Sequence, residues 1–192
     1  SKIGMYLTAD LDEALILGLR ELIYNSTDEY EQGFGDTIEI TIDNIEGTIE
    51  IRDNARGIPV GDRNDGTNSL IAALTLPHSG AKHDTEVYVS AVGINGIGAK
   101  VVCHTAEWLE VYSMRDGNQY HARFEETEDG AICPLGVNNT LVKINPNNTG
   151  TIIKYKPSKI IYGDRRINID TVKSTLKELS YFTKGMKFIL KV

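Results

Sequence analysis

Between Arg20 and Gly33 the chain runs RELIYNSTDEYEQG, which sets Glu21, Asn25 and Glu29 at i, i+4 and i+8. In an α-helix that spacing aligns a carboxylate, an amide and a second carboxylate in one row. Leu15, Leu19, Leu22 and Ile23 then occupy the other side. A solvated acidic face has the same pattern, so the meaning of the row depends on what other segments bring to it.

Two further segments carry compatible chemistry. In RDNARGIP, Asp53 ends an alternating run, and Ala55, Gly57 and Pro59 turn the backbone away. A carboxylate is thereby left at a strand edge beside an apolar floor of Ile51 and Ile58, where it can accept a hydrogen bond from an exocyclic amine such as adenine presents. In VGINGIGAK, Gly93, Gly96 and Gly98 let backbone amides approach a polyphosphate and hand it to a helix N-terminus. A glycine-rich loop is equally a tight turn before a helix, and it gains force only from its conjunction with the other two segments. His78, His83, His104 and His121 lack metal-ligand spacing, and Cys103 and Cys133 are too few for a disulfide framework or a metal cluster.

The elements that must position these groups can be read from periodicity. The helix is predicted to begin near Asp10 or Asp12 and to stop at Gly33 to Gly35. Ile38, Ile40 and Ile42, then Ile45, Ile49 and Ile51, alternate with polar residues, predicting a hairpin around Asn44 to Gly47. The stretch from Gly57 to Gly98 is the most irregular. GAKVVCHTA reads as a short helix, and WLEVYSM, QYHARFEE, TLVKI and TGTIIKYKP read as strands. IDTVKSTLKELSYF reads as an amphipathic helix before a last strand, KFILKV. Antiparallel strand runs with inserted helices indicate an α+β fold, a sheet covered on one side.

Composition bounds the function. With 192 residues, 41% hydrophobic and 24% charged, the chain can build one sizeable core, and no apolar run reaches the roughly 18 residues of a membrane span. A formal charge of −7 and a pI near 5.1 argue against a surface that grips nucleic acid unaided, so any role on DNA is indirect. A reducing, cytoplasmic setting is expected from the cysteine usage.

In the order ELIYNSTDE, RDNARGIP, HSGAK, VGINGIGAK and TGTIIKYKPS, with GMYL ahead of the first helix, the chain resembles the ATPase domain of the GHKL superfamily. The similarity is to the gyrase B and topoisomerase IV B branch of the type IIA topoisomerases, in a divergent form, and it runs from Gly4 to the closing LSYFTKGMKFIL. It implies a Bergerat fold, a two-layer α+β sandwich with a mixed, mostly antiparallel sheet covered on one face by helices. It also implies a single domain over residues 1–192, as the N-terminal part of a larger subunit.

By the same resemblance, Glu21 is the general base toward the attacking water and Asn25 a ligand for Mg²⁺ bridging the phosphates. Asp53 binds the adenine amine, with Thr151 assisting through a water. Ile51, Ile58 and Ile153 form the apolar slot, Gly57 and Pro59 belong to the same motif, and Glu29 pairs with Arg56. Lys82 and Tyr88 match lid positions near phosphates and ribose. Gly93, Ile94, Asn95, Gly96, Ile97 and Gly98 match the phosphate-wrapping loop, and Arg115 stands at the mouth of the pocket. The chain departs from the family at Tyr24, Ala55, Val89 and Val92, where Asp, Gly, a basic residue and Gly are usual.

The implied ligands are ATP and Mg²⁺, and the implied activity is ATP hydrolysis coupled to dimer closure and DNA strand passage. The implied partners are a second copy of the full-length protein when ATP is bound, a DNA-cleaving topoisomerase subunit or domain, DNA only indirectly, no membrane, and adenine-mimicking gyrase-B inhibitors. The competing expectation is a nucleotide-gated switch without strand passage, either MutL-like or a degenerate ATPase. That branch shares the first two motifs but lacks the GMYL start and the TGTIIKYKPS strand.

Overall fold

Helix α1 (Leu11–Glu31) buries Leu15, Ile16, Leu19, Leu22 and Ile23, the apolar stripe that its spacing predicts, and carries Asp12 and Glu13 in its first turn where the helix dipole favours them. The computed structural model describes residues 11–61, 64, 68–75, 98–128, 132–133 and 141–192. Strands β1 (Thr37–Asp43) and β2 (Thr48–Asp53) form the expected antiparallel hairpin, with Ile40 opposite Ile51. Ile38, Ile40, Ile42, Ile49 and Ile51 are buried on one face. Ile45 does not continue their alternation: it lies in the turn and is 89% exposed. There Asp43 Oδ1 accepts the Ile45 and Glu46 amides at 2.9 and 3.0 Å, and a turn capped by a side chain breaks the two-residue period.

Inside the stretch that reads as irregular lies a helix, α2 (Ser69–Thr75), whose start is capped by Asn68 Oδ1 on the Leu70 amide at 2.9 Å. Its seven residues bury Leu70, Ala72 and Leu74. Two turns are too short to leave a periodic signature, and such a helix is held by packing rather than propensity. After α3 (Gly98–His104) come β3 (Ala106–Arg115), β4 (Asn118–Glu126), β5 (Ile132–Cys133), β6 (Val142–Lys143) and β7 (Gly150–Pro157). Two helices, α4 (Lys159–Tyr162) and α5 (Ile169–Phe182), then precede β8 (Lys187–Lys191).

The eight described strands form one sheet in the order β5-β4-β3-β7-β2-β1-β8, with β6 also pairing β4. The β1–β8 pair is parallel, and the other described pairs are antiparallel. Leu109, Val111, Phe124, Ile153 and Tyr155 face inward and share a core with α1, α3 and α5 through Leu19, Val102, Val172 and Leu176. Each such side chain contributes about 1.5 to 3 kcal/mol by leaving water.

The opposite face of β3 and β4 is polar and aromatic. Arg123 lies 4.8 Å over the Trp108 ring, Tyr112 stacks on His121 at 4.4 Å, and Glu110 accepts from Arg123 and Tyr112. Burial alone would raise the Glu110 carboxyl, but those hydrogen bonds outweigh it and hold the group below the usual carboxylate range. One apolar and one polar face make the two-layer α+β sandwich expected from the sequence.

Candidate active site

The cleft lies where α1 crosses the ends of β2 and β7. It encloses about 660 Å³, its open mouth included, and is lined by Asn25, Ser26 and Glu29 from α1, and by Ile51, Asp53, Ala55, Gly57 and Ile58 from β2 and the turn after it. Thr151 and Ile153 come from β7, and Ala73, Leu74 and Ala99 close the far wall. Apolar walls with few convergent polar groups are what a small-molecule site requires.

Asp53 is the polar centre. Ser26 Oγ donates to its Oδ2 at 2.7 Å, and the Ala55 and Thr151 amides donate to its Oδ1 at 3.0 and 3.1 Å. Burial pushes the carboxyl above the ordinary carboxylate range, the three hydrogen bonds oppose that shift, and Glu29 adds to it. Thr151 therefore meets Asp53 through its main-chain N–H. Gly57 shapes the turn that follows: its φ is +81°, and a β-carbon there would lie 2.5 Å from Met114 O and 3.0 Å from Ser113 Oγ. Only glycine fits that conformation and that space. Ser113 Oγ donates to Ile58 O at 2.6 Å and Arg115 to Gly57 O at 2.9 Å, so β3 fixes the turn from outside.

Glu29 and Arg56 form a two-pronged pair at 2.6 and 2.8 Å, with the guanidinium 3.9 Å over the Phe34 ring. The sequence expectation of this pair is met in geometry. Asp28, next on the helix, is raised mainly by burial and further by Glu31, Glu29 and Glu21.

Glu21 is placed differently from Asn25. It is outside the cleft lining and packs beneath Gly98, the first residue of α3. Asn25, one turn on, lines the cleft. Of the other sequence candidates, Ile51, Gly57, Ile58 and Ile153 line the cleft with Asp53 and Thr151, whereas Arg56, Pro59, Arg115 and Gly98 are outside its lining. Lys82, Tyr88, Gly93, Ile94, Asn95, Gly96 and Ile97 lie outside the described residues, as do the GMYL start and the departures at Val89 and Val92. Tyr24, a third departure, takes a hydrogen bond from Arg20 at 3.0 Å and is not in the lining, while Ala55 contributes both its amide and a small wall.

Sequence reasoning missed Ser26 and the wall of Ala73, Leu74 and Ala99. Ser26 left a trace: with Thr27 it is a polar residue on the buried side of the helix, 4% exposed, where a hydroxyl needs a partner.

Comparison with known proteins places this cleft in context. Residues 11–130 match the model of a family described as histidine kinase-, DNA gyrase B-, and HSP90-like ATPase. The chain is 34% identical over 188 residues to the B subunit of DNA topoisomerase 4 from Staphylococcus aureus, covering 97% of this chain and 27% of that protein. It is 32% identical over 187 residues to the B subunit of DNA gyrase from Archaeoglobus fulgidus, covering 97% and 29%. The chain thus spans under a third of the length of these relatives. Its fold is similar to the crystal structure of the 43K ATPase domain of Thermus thermophilus gyrase B in complex with an aminocoumarin, with a TM-score of 0.72 and 25% identity over 90% of this chain and 42% of that one.

Proposed function

The chain belongs to the histidine kinase-, DNA gyrase B- and HSP90-like ATPase family, and from that premise we propose that it binds ATP with Mg²⁺ and hydrolyses it as the nucleotide-driven part of a type IIA topoisomerase. The observation that carries this reading is Asp53, a carboxylate pinned by three donors at the floor of an apolar cleft and facing Ile51, Ile58 and Ile153. An adenine amine donating to it would lie between those side chains, where a donor lacking an acceptor is penalised.

In this reading Asn25 offers its side-chain oxygen to Mg²⁺. Magnesium is commonly held by one or two protein oxygens together with substrate phosphates and water, and a half-buried amide on the cleft wall suits that donor set. When bound, the ion would neutralise charge building on the phosphates. Glu21 takes a proton from the attacking water, and Gly98 above it keeps that carboxylate fixed. Thr151 aids adenine binding, while Arg56 holds Glu29 at the rim beside Pro59 and Arg115. Lys82, Tyr88 and the run Gly93, Ile94, Asn95, Gly96, Ile97 would contact the phosphates and ribose.

Nucleotide binding would close a dimer of the full-length protein, which works with a DNA-cleaving partner and meets DNA only through it. This is supported by the identity of the relatives, whose names are those of topoisomerase and gyrase subunits. Adenine-mimicking gyrase-B inhibitors are expected to displace a fluorescent ATP analogue from the same slot. No helix among the described residues is long and apolar enough to cross a membrane.

The test is calorimetry with a non-hydrolysable ATP analogue and Mg²⁺. Binding by the parent and its loss in Asp53→Ala, at a cost of about 1.5 to 3 kcal/mol, is the expected result. Equal affinity in the two proteins overturns the assignment.

A further inference from the structure

Asp53 can read an amine only if one of its oxygens keeps a lone pair turned into the cleft and the group stays ionised. The two oxygens are held unequally. Oδ1 is taken by the Ala55 and Thr151 main chain, which no side-chain substitution removes. Oδ2 has a single protein donor among the described residues, the Ser26 hydroxyl, on a residue that is 4% exposed and lines the cleft. A hydroxyl donates only one hydrogen, so with that hydrogen committed at 2.7 Å the second lone pair of Oδ2 remains for a ligand.

We propose that Ser26 is a positioning residue for amine recognition: its hydroxyl orients Oδ2 of Asp53 and keeps that carboxyl an acceptor rather than a donor, so that the cleft selects a purine bearing an exocyclic amine. This rests on the nucleotide reading given above. Burial and Glu29 both favour the protonated carboxyl. Glu29 faces Asp53 from α1 and is itself paired with Arg56 of the following turn. Among the described residues only the three hydrogen bonds stand against those influences, and removing the Ser26 donor tips the balance toward an O–H that would oppose an incoming N–H. A serine placed there merely to fill space would have no bearing on which purine is bound.

Two measurements on the full chain separate these roles. In the first, Mg²⁺ complexes of a non-hydrolysable ATP analogue and of purine riboside triphosphate, which lacks the amine, are titrated into the parent, Ser26→Ala and Ser26→Thr. Ser26→Ala should weaken the adenine nucleotide roughly tenfold while leaving the amine-free one within about twofold, and Ser26→Thr should restore adenine affinity to within about threefold. Equal weakening of both nucleotides overturns the proposal. In the second, which needs no ligand, the Asp53 carboxyl is followed by carbon NMR against pH, and its midpoint in Ser26→Ala should rise by about one pH unit. A parent that does not discriminate between the two nucleotides marks a failure of the nucleotide reading, and the carboxyl titration still decides Ser26: an unchanged midpoint overturns its role and a raised one upholds it.

Discussion

Gly98 is seated on Glu21: a β-carbon on residue 98 would come within 2.6 Å of Glu21 Cγ and 2.7 Å of its Oε2. Contacts that close are not tolerated, so any side chain there must move either α3 or the carboxylate. Gly98→Ala is therefore expected to lower stability by about 1 to 3 kcal/mol and to depress ATP turnover more than nucleotide affinity. Thermal melts, steady-state turnover and calorimetry on the same preparation check this, and a variant with parental turnover removes the functional meaning of the contact.

Glu21 and Asn25 are one helical turn apart, yet only Asn25 lines the cleft. Glu21→Ala should retain nucleotide affinity while losing about 10² to 10⁴ in turnover, as expected of a base that acts mainly in the transition state. Asn25→Ala should weaken Mg²⁺-dependent binding as well, because a metal ligand also acts in the ground state. Turnover of both variants at the parental rate would reduce the row to a solvated helix face.

Asp53→Asn separates stability from function. Because burial raises this carboxyl in the folded chain, the fold holds its proton more tightly than the unfolded chain does. Its stabilising contribution is full below the ordinary carboxylate value of about 4 and is lost as pH rises through the raised folded value. Asparagine does not titrate, so the variant should melt at or above the parental temperature at pH 7 to 8, with the difference shrinking on acidification. Adenine nucleotide affinity should nonetheless fall about tenfold or more. A variant that loses ground as pH rises would show that the hydrogen bonds from Ser26, Ala55 and Thr151 outweigh burial.

The Arg56–Glu29 pair is partly screened, with side chains 29% and 16% exposed. Arg56→Ala should cost about 1 to 2 kcal/mol in urea denaturation, most of it from leaving Glu29 without its partner. Arg56→Lys should recover less than half of that loss, because an ammonium cannot make the two-pronged contact or stack on Phe34 as a planar guanidinium does. Full recovery by lysine would mean that charge alone matters at this position.

Much of this arrangement was legible before folding. The isoleucine alternation marks the β1–β2 hairpin because one face is buried, and the leucine spacing marks α1 for the same reason. Asp53 stood out as a carboxylate at a strand end before a turn built around Gly57. Other features depend on long-range geometry. The Thr151 amide reaches Asp53 across 98 positions of chain, and nothing local to either residue announces the contact. Helix α2 is too short to show a period, and Ile45 kept the look of a strand residue because the Asp43 turn cap is a three-dimensional event. Glu21 was legible as a row with Asn25, but its packing under Gly98 required knowing that α3 meets α1 at that point.

The parallel seam between β1 and β8 has a consequence for how the chain is made. Thr37 to Thr41 pair with Lys187 to Lys191, and the Lys191–Glu39 contact joins residues 152 positions apart. While the chain is being synthesised, the isoleucine-rich hairpin emerges well before β8, and its outer edge stays unpaired until β8 leaves the ribosome. An exposed edge of that kind is a template for pairing with another nascent chain. Strand β8 thus acts as a seal, and chains cut before Lys187 should accumulate as aggregates even though every residue lining the cleft is still present.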